Sequence, residues 1–526
     1  MKKIKVLLLY PPEQTWPGYM CKPNGSLAYP YLGGALRDIG VEVDVYDACV
    51  GNDEDDLDNF FNKSIKLPSG MLRTGVSDER ILEVVSKYDV IGITSIFSQQ
   101  ETQVLHCAKL IKKHFPNKTL LTGGVNAKSR MSIFFSSGFD IICTSEAEVT
   151  IQQIIKILQK ESRDFSTVGK IFFKNQSGKI IDNSHFGEIC WELDKLPIPA
   201  WDILPNKRYW KIGRPHGGNI KPGVELKYAS LMTSRGCPFA CSYCHIAQEN
   251  ESSISGAIGR FRIKSDERVI KELTILRDEI GAKQVFIEDD SIFGMKRRAI
   301  RLLKKIIGFG LDLMDVNGIN MIHLVKKDPT NKGWMIPDEE VIELLSEVGF
   351  KSITLPFESA NLRIIKKWCS NKLALDRFDP VELIKSLKKY DIHVATNYML
   401  GFPDETREEI ETTIKFAKEM YQHGLDASNF SLVMPVPGTP IFDYCTKNGQ
   451  LPKDYNPDKF QWTKANLTNL AVPPDELQRI RQRAWEECNT QEHRNSRLQW
   501  TVPEGEDSVP GFEKKTKKEV NVKSII

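Results

Sequence analysis

The sequence predicts an α/β chain: an N-terminal doubly wound parallel sheet, then a partial (β/α)6 barrel of the TIM type, then a small helical C-terminal region. Two observations carry that prediction. Short, continuously apolar runs alternate with helical patterns along most of the 526 residues, which is how parallel strands covered on both faces read. The alternation falls into two blocks, divided by a proline-rich stretch near residue 200.

The first block, residues 1–160, contains "IKVLLLY", "VEVDVYD", "YDVIGITSIF", "KTLLTGG" and "FDIICTS" as strands. Helical patterns such as "LAYPYLGGALRDIG" and "ETQVLHCAKLIKKHF" separate them, giving a Rossmann-like domain. Ligands of such sheets sit beyond the carboxyl ends of the strands. Those ends carry Thr94 and Ser95, Gly123 and Gly124, and Thr144, Ser145 and Glu146. Three small, polar ends side by side suit a large flat ligand. Residues 161–224 read as a hairpin turning at "NQSG" followed by "LDKLPIPAWDILP", whose three prolines in thirteen residues have the composition of an extended linker.

The second block, residues 225–445, repeats the strand and helix unit through "YASLMTS", "KQVFIED", "LMDVNGIN", "SITLPFES", "HVATNYML" and "SNFSLVMP". Six such units form a partial barrel, whose active site lies at the carboxyl ends of its strands. Residues 446–500 read as a helical appendage and 501–526 as a basic, disordered tail.

Composition narrows the partners. Hydrophobic residues make up 41% and charged residues 27%, and 72 basic against 69 acidic side chains leave a net charge of +3, which favours neither nucleic acid nor membrane. No apolar run approaches the roughly 20 residues of a spanning helix, and the first is cut off by Pro11 and Pro12, so a cytoplasmic protein without a membrane span is expected. The basic run "KRRAIRLLKK" has apolar residues at helical spacing and reads as a barrel helix with a solvated face, not an RNA surface. Eleven cysteines in a chain this long do not make a disulfide framework.

Three of those cysteines stand together in "TSRGCPFACSYCHIAQ", just past the first barrel strand. Cys237, Cys241 and Cys244 suit a zinc site completed by Cys190 or His245, or a four-iron cluster in which three thiolates leave one iron open. The C-x3-C-x2-C run, with Tyr243 before its last cysteine, resembles the signature of the radical S-adenosylmethionine enzymes. That resemblance implies a [4Fe-4S] cluster whose open iron chelates S-adenosylmethionine and splits it to methionine and a 5'-deoxyadenosyl radical. The radical then takes a hydrogen atom from the substrate.

Further positions along the barrel are similar to the family's. The resemblance implies that Asp289 and Asp290 ("FIEDDSIF"), Glu358 and Ser359 ("PFESAN"), Gly401 ("MLGFPDET") and Arg262, beside Arg260 in "GRFRIKS", lie on the S-adenosylmethionine side. A doubly wound module ahead of such a barrel resembles the cobalamin-binding domain of the class B radical enzymes, many of them methyltransferases. Thr94, Ser95, Gly123, Gly124, Val125 and Glu146 would then face cobalamin. The domain has no Asp-x-His-x-x-Gly segment, and its histidines, His106 and His114, fall within a helical pattern, so the implied cobalamin is held without a protein histidine. Cys21, Cys49, Cys107 and Cys143 lack the short spacing of a second cluster and read as small apolar residues, as do Cys190, Cys369, Cys445 and Cys488.

The implied reaction is methylation of an unactivated centre in a small molecule, lipid or peptide, with an external electron donor such as flavodoxin or ferredoxin. Ring formation or rearrangement without methyl transfer is the first alternative. A non-catalytic iron-sulfur protein for electron transfer or sensing is the second.

Overall fold

The structure, a computed structural model, describes residues 2–489 apart from 20, 24, 25, 216–224, 371, 373, 374 and 391. The tail 501–526 and the last part of the appendage lie outside the described residues. Among the described residues no helix is long and apolar enough to cross a membrane.

The chain divides into two compact units. The first comprises Met1–His216 together with Glu249–Ile258. Its seven-stranded sheet has five parallel members, Lys5–Tyr10, Glu42–Asp47, Val90–Thr94, Thr119–Gly123 and Ile141–Cys143, in the doubly wound order 2-1-3-4-5. Alternation along these strands builds two cores. Leu7, Leu9, Ile91 and Ile93 pack on one face, and Val6, Leu8, Val90 and Leu121 on the other. The sheet order reverses between Lys5–Tyr10 and Val90–Thr94, where ligands of this fold class bind.

The hairpin expected within 161–224 joins this sheet, Ile171–Lys174 and Ile180–Asp182 adding antiparallel to its edge. The proline-rich stretch, expected to be an extended linker, packs on the same unit. Trp201 is 2% exposed, Ala200 N donates to Pro30 O at 2.8 Å, and Arg37 forms a two-pronged ion pair with Asp202. Apolar residues between its prolines give it something to bury, which composition alone does not reveal. A small three-stranded sheet, Glu13–Thr15, Leu72–Thr74 and Ile65–Lys66, was not anticipated, because strands of two or three residues carry no periodic signal.

The second unit holds the barrel. Six strands, Tyr228–Leu231, Gln284–Ile287, Asp312–Asp315, Phe350–Glu358, His393–Leu400 and Ala427–Leu432, lie in sequence order and are parallel throughout. Several of its helices start where short polar side chains accept from orphan backbone N–H groups. Ser265 accepts from Arg268 N, Asn361 from Arg363 N and Ile364 N, and Thr406 forms a capping box with Glu409. The basic run becomes helix Lys296–Lys305. One of its arginines departs from the expected solvated face: Arg298 is 1% exposed. In the appendage, helix Pro474–Glu487 lies on the sixth strand, with Arg481 Nε donating to Phe430 O at 2.8 Å.

Candidate active site

The cysteine loop leaves the first barrel strand and is held from several sides. Cys237 N donates to Gly259 O at 3.0 Å, Ser242 N to Trp368 O at 2.9 Å, and Ile441 N to Ser242 O at 3.0 Å. Ala240 N donates to Ser370 Oγ at 2.9 Å. Gly236, just before the first thiol, has φ +81°, and a Cβ there would come 2.3 Å from Arg260 O, so only glycine fits. Cys241 is buried and Cys237 and Cys244 half-buried, all three as free thiols. Burial pushes Cys237 up to about 11 and Cys244 up to about 12. One buried and two half-buried thiols in a loop held by these hydrogen bonds are stable as ligands when a bound cation offsets the cost of their ionisation. The donor set fits an iron-sulfur cluster.

Glu358 ends the fourth strand at an irregularity in the pairing with the fifth, with φ +61°. A left-handed glutamate costs about 1–2 kcal/mol, so the surroundings hold it there. Its Oε1 accepts from Tyr243 Oη at 2.8 Å and from Lys372 Nζ at 2.7 Å. Burial works to lower the Lys372 pKa, but Glu358 and the nearby Cys241 outweigh it and hold the ammonium charged. The cysteine loop and the end of the fourth strand are thereby one charged assembly, Lys372 being a member that no sequence motif marked.

The other expected residues differ in employment. Asp289, 3% exposed, spends its carboxylate on the chain ahead of the cysteines. It accepts from Thr233 N and Thr233 Oγ1 at 2.6 Å and from Ser234 Oγ at 2.5 Å. Arg298 closes this brace from behind, donating to Thr233 Oγ1, Thr233 O and Lys264 O. Asp289 thus braces the chain that leads into the cysteine loop. Asp290 Oδ2 accepts from Gly236 N at 3.0 Å and adds negative charge near Cys237 and Cys244. Arg262 is buried, and its backbone pairs with Arg235 in a two-residue ladder.

Ser359 is fully buried with its Oγ 3.1 Å from Thr413 Oγ1, and it accepts from Asn361 N. It too is engaged within the protein, bracing the turn after the fourth strand. The "MLGFPDET" turn is organised by Glu405, whose Oε2 accepts from Gly401 N at 2.7 Å and Phe402 N at 3.2 Å. Burial raises Glu405 to about 8.

Glu288, next to the quoted acidic pair, was overlooked. Burial lifts it to about 7, and its Oε1 accepts from Ser230 Oγ at 3.2 Å. Strand alternation continuing past Ile287 is the signal that would have found it, since period two turns Glu288 and Asp289 to opposite faces.

In the N-terminal unit, the strand ends converge as the parallel sheet requires. Ser95 N donates to Gly123 O at 2.8 Å, and Asn126 N donates back to Ser95 O at 3.2 Å. Gly124 has φ +102°, and a Cβ there would meet Ser95 O at 2.5 Å. Val125 opens the short helix Val125–Ser129, and Thr94 N donates to Tyr29 Oη. Beside Glu146, the Ser145 Oγ is buried without a hydrogen-bond partner, an unmet polar atom at the end of the fifth strand. His106 lies at the surface beside Asp78, and His114 is exposed.

Residues 231–417 match the model of the Radical SAM superfamily. That segment is a radical S-adenosylmethionine domain, and the chain is an enzyme. Its cofactors include the iron-sulfur cluster and S-adenosylmethionine that define this superfamily. The radical enzyme is 29% identical over 465 residues to an uncharacterized methyltransferase of Pyrococcus horikoshii, covering 86% of this chain and 85% of that one. It is 25% identical to the cytidylyl-2-hydroxyethylphosphonate methyltransferase of Streptomyces wedmorensis, over 85% of this chain and 82% of the relative. Its fold is similar to that of TsrM from Kitasatospora setae, a radical methyltransferase solved with cobalamin and a [4Fe-4S] cluster bound. The TM-score is 0.60 at 15% identity, covering 85% of this chain and 78% of that one.

Proposed function

We propose that this radical enzyme is a cobalamin-dependent methyltransferase acting on an unactivated centre of a small molecule, lipid or peptide. The observation that carries the proposal is the cysteine loop, pinned from several sides, in a chain that aligns over most of its length with methyltransferases. Cys237, Cys241 and Cys244 hold the cluster, and Glu358 with Lys372 presents a carboxylate and an ammonium to the amino-acid end and sulfonium of S-adenosylmethionine. Asp289, Arg298 and Glu405 fix the loops on which these groups sit. The cofactors together supply radical hydrogen abstraction and methyl donation, and the protein supplies orientation and exclusion of water.

In the N-terminal unit the ends bearing Thr94, Ser95, Gly123, Gly124, Val125 and Glu146 take cobalamin. The unmet Ser145 hydroxyl there supports a ligand rich in polar groups. An external one-electron donor such as flavodoxin or ferredoxin reduces the cluster.

The test is an anaerobic assay on the reconstituted holoenzyme, reading 5'-deoxyadenosine, S-adenosylhomocysteine and the visible spectrum of cobalamin. Both products with bound cobalamin support methyl transfer. Formation of 5'-deoxyadenosine alone with the true substrate assigns ring chemistry instead. A Cys241→Ala protein that keeps its full cluster absorbance refutes the ligand assignment.

A further inference from the structure

We propose that Glu13, Cys21 and Cys49 form a mononuclear site for a divalent, thiol-seeking cation, zinc by its chemistry, at the carboxyl ends of the first two strands of the N-terminal sheet. The sequence separates these residues by 8 and 28 positions, and the structure brings them together. Cys21 Sγ lies 2.8 Å from Glu13 Oε2 and 3.3 Å from Cys49 Sγ. The three donor atoms all lie within 4.8 Å of one another. Tetrahedral zinc with bonds of about 2.3 Å to sulfur sets its donors roughly 3.7 Å apart. The two pairs that Cys21 makes therefore need to open by less than about an ångström, and the third pair is already within 4.8 Å.

The donors sit on supported backbone. Glu13 begins the strand Glu13–Thr15, which is held by Gln14 N donating to Gln100 Oε1 at 2.9 Å. Cys49 follows the strand Glu42–Asp47, and its N–H donates to Asp47 Oδ1 at 2.8 Å. Asp47 in turn accepts from Tyr209 Oη at 2.7 Å, so the backbone carrying Cys49 is anchored by an outer carboxylate and a tyrosine. Both sulfurs are buried. Without a cation, burial raises Cys49 to about 11, lifts Cys21 well above the usual thiol range and raises Glu13. A dication reverses that balance, taking up two thiolates and releasing their protons to solvent. Two sulfur donors disfavour magnesium and calcium, and three protein donors leave the fourth tetrahedral position for water.

The rival arrangement is a Cys21–Cys49 disulfide, which requires the sulfurs to close from 3.3 Å to about 2.05 Å. The experiment uses full-length protein with its iron-sulfur cluster, grown with added zinc. Metal content is read by mass spectrometry and the zinc edge by X-ray absorption, where iron does not interfere. About one zinc per chain is expected, with two sulfur neighbours at about 2.3 Å and lighter neighbours near 2.0 Å. Cys49→Ser should lower zinc at least tenfold while iron and far-ultraviolet dichroism stay unchanged. Glu13→Gln should weaken retention yet keep the two-sulfur signature.

Alkylation of the wild-type protein keeps the proposal testable if Cys49→Ser fails to fold. Cys21 and Cys49 should be protected until zinc is chelated. Three results overturn the site: zinc far below one per chain with both thiols freely alkylated, zinc without sulfur neighbours, or a chain lighter by the two hydrogens a disulfide removes.

Discussion

Lys372 donates to Glu358 Oε1 at 2.7 Å, and both residues are nearly buried, with side chains 10% and 8% exposed. A buried pair is worth little over an apolar replacement, but removing one partner leaves the other charge without compensation. Lys372→Met should therefore destabilise the protein by about 3 kcal/mol. Glu358→Gln combined with Lys372→Met should recover part of that loss. Urea unfolding of the four proteins in the cycle reads the coupling, and additive losses would show that the pair is not coupled.

Titration gives a second expectation. Glu405 is held protonated up to about 8, and Glu288 and Asp315 up to about 7, each by burial. A group with a raised folded pKa binds more protons folded than unfolded between its ordinary and its raised value. Stability from these groups is thus present at low pH and is lost as pH climbs from about 4.5 to 8. The slope is at most about 1.4 kcal/mol per pH unit for each group. The urea midpoint should fall from pH 5 to 8, and Glu405→Gln, which keeps an acceptor for Gly401 N and Phe402 N, should flatten the upper part. A midpoint that rises across this range contradicts the assignment.

At the cysteine loop the sensitive position is a glycine. Gly236→Ala would drive a methyl group against Arg260 O and force a non-glycine residue to φ +81°. The chain must shift where it supports Cys237. Iron content after reconstitution should fall several-fold while far-ultraviolet dichroism is kept. Normal iron loading would mean the loop has more freedom than its hydrogen bonds suggest.

Gly124→Ala is the matching change in the N-terminal unit, where the added methyl would meet Ser95 O. On the cobalamin proposal, the variant should lose bound cobalamin, read from the visible spectrum after gel filtration, and keep its iron. Retention of cobalamin with unchanged affinity would place that ligand elsewhere.

Much of this molecule was legible in advance, and the reasons are local. The five parallel N-terminal strands and the six barrel strands announce themselves as apolar runs because parallel sheets are buried on both faces. Cys237, Cys241 and Cys244 lie within eight residues, so their association needs no tertiary information. What escaped depends on chain crossings. Lys372 is an unmarked lysine until the fold sets it against Glu358, and Cys21 and Cys49 are lone cysteines until the first two strands pair. Asp289 is a parallel case: the acidic pair was visible in the sequence, but its hydrogen bonds to Thr233 and Ser234 depend on the fold.

Residues 249–258 follow the cysteine loop in the chain yet belong to the N-terminal unit, where Lys128 pairs with Glu249 and bonds to Ser255, and Thr144 Oγ1 donates to Ile254 O. The consequence is one of order of synthesis. The sheet that receives this segment is encoded entirely upstream, so its docking partners have left the ribosome before the segment itself. A fragment begun at residue 225 would carry the cluster ligands but strand the Glu249 carboxylate, 4% exposed in the intact chain, without its lysine. The later unit, begun alone, would therefore carry a ten-residue segment whose partners, Lys128 and Thr144, are encoded in the earlier one.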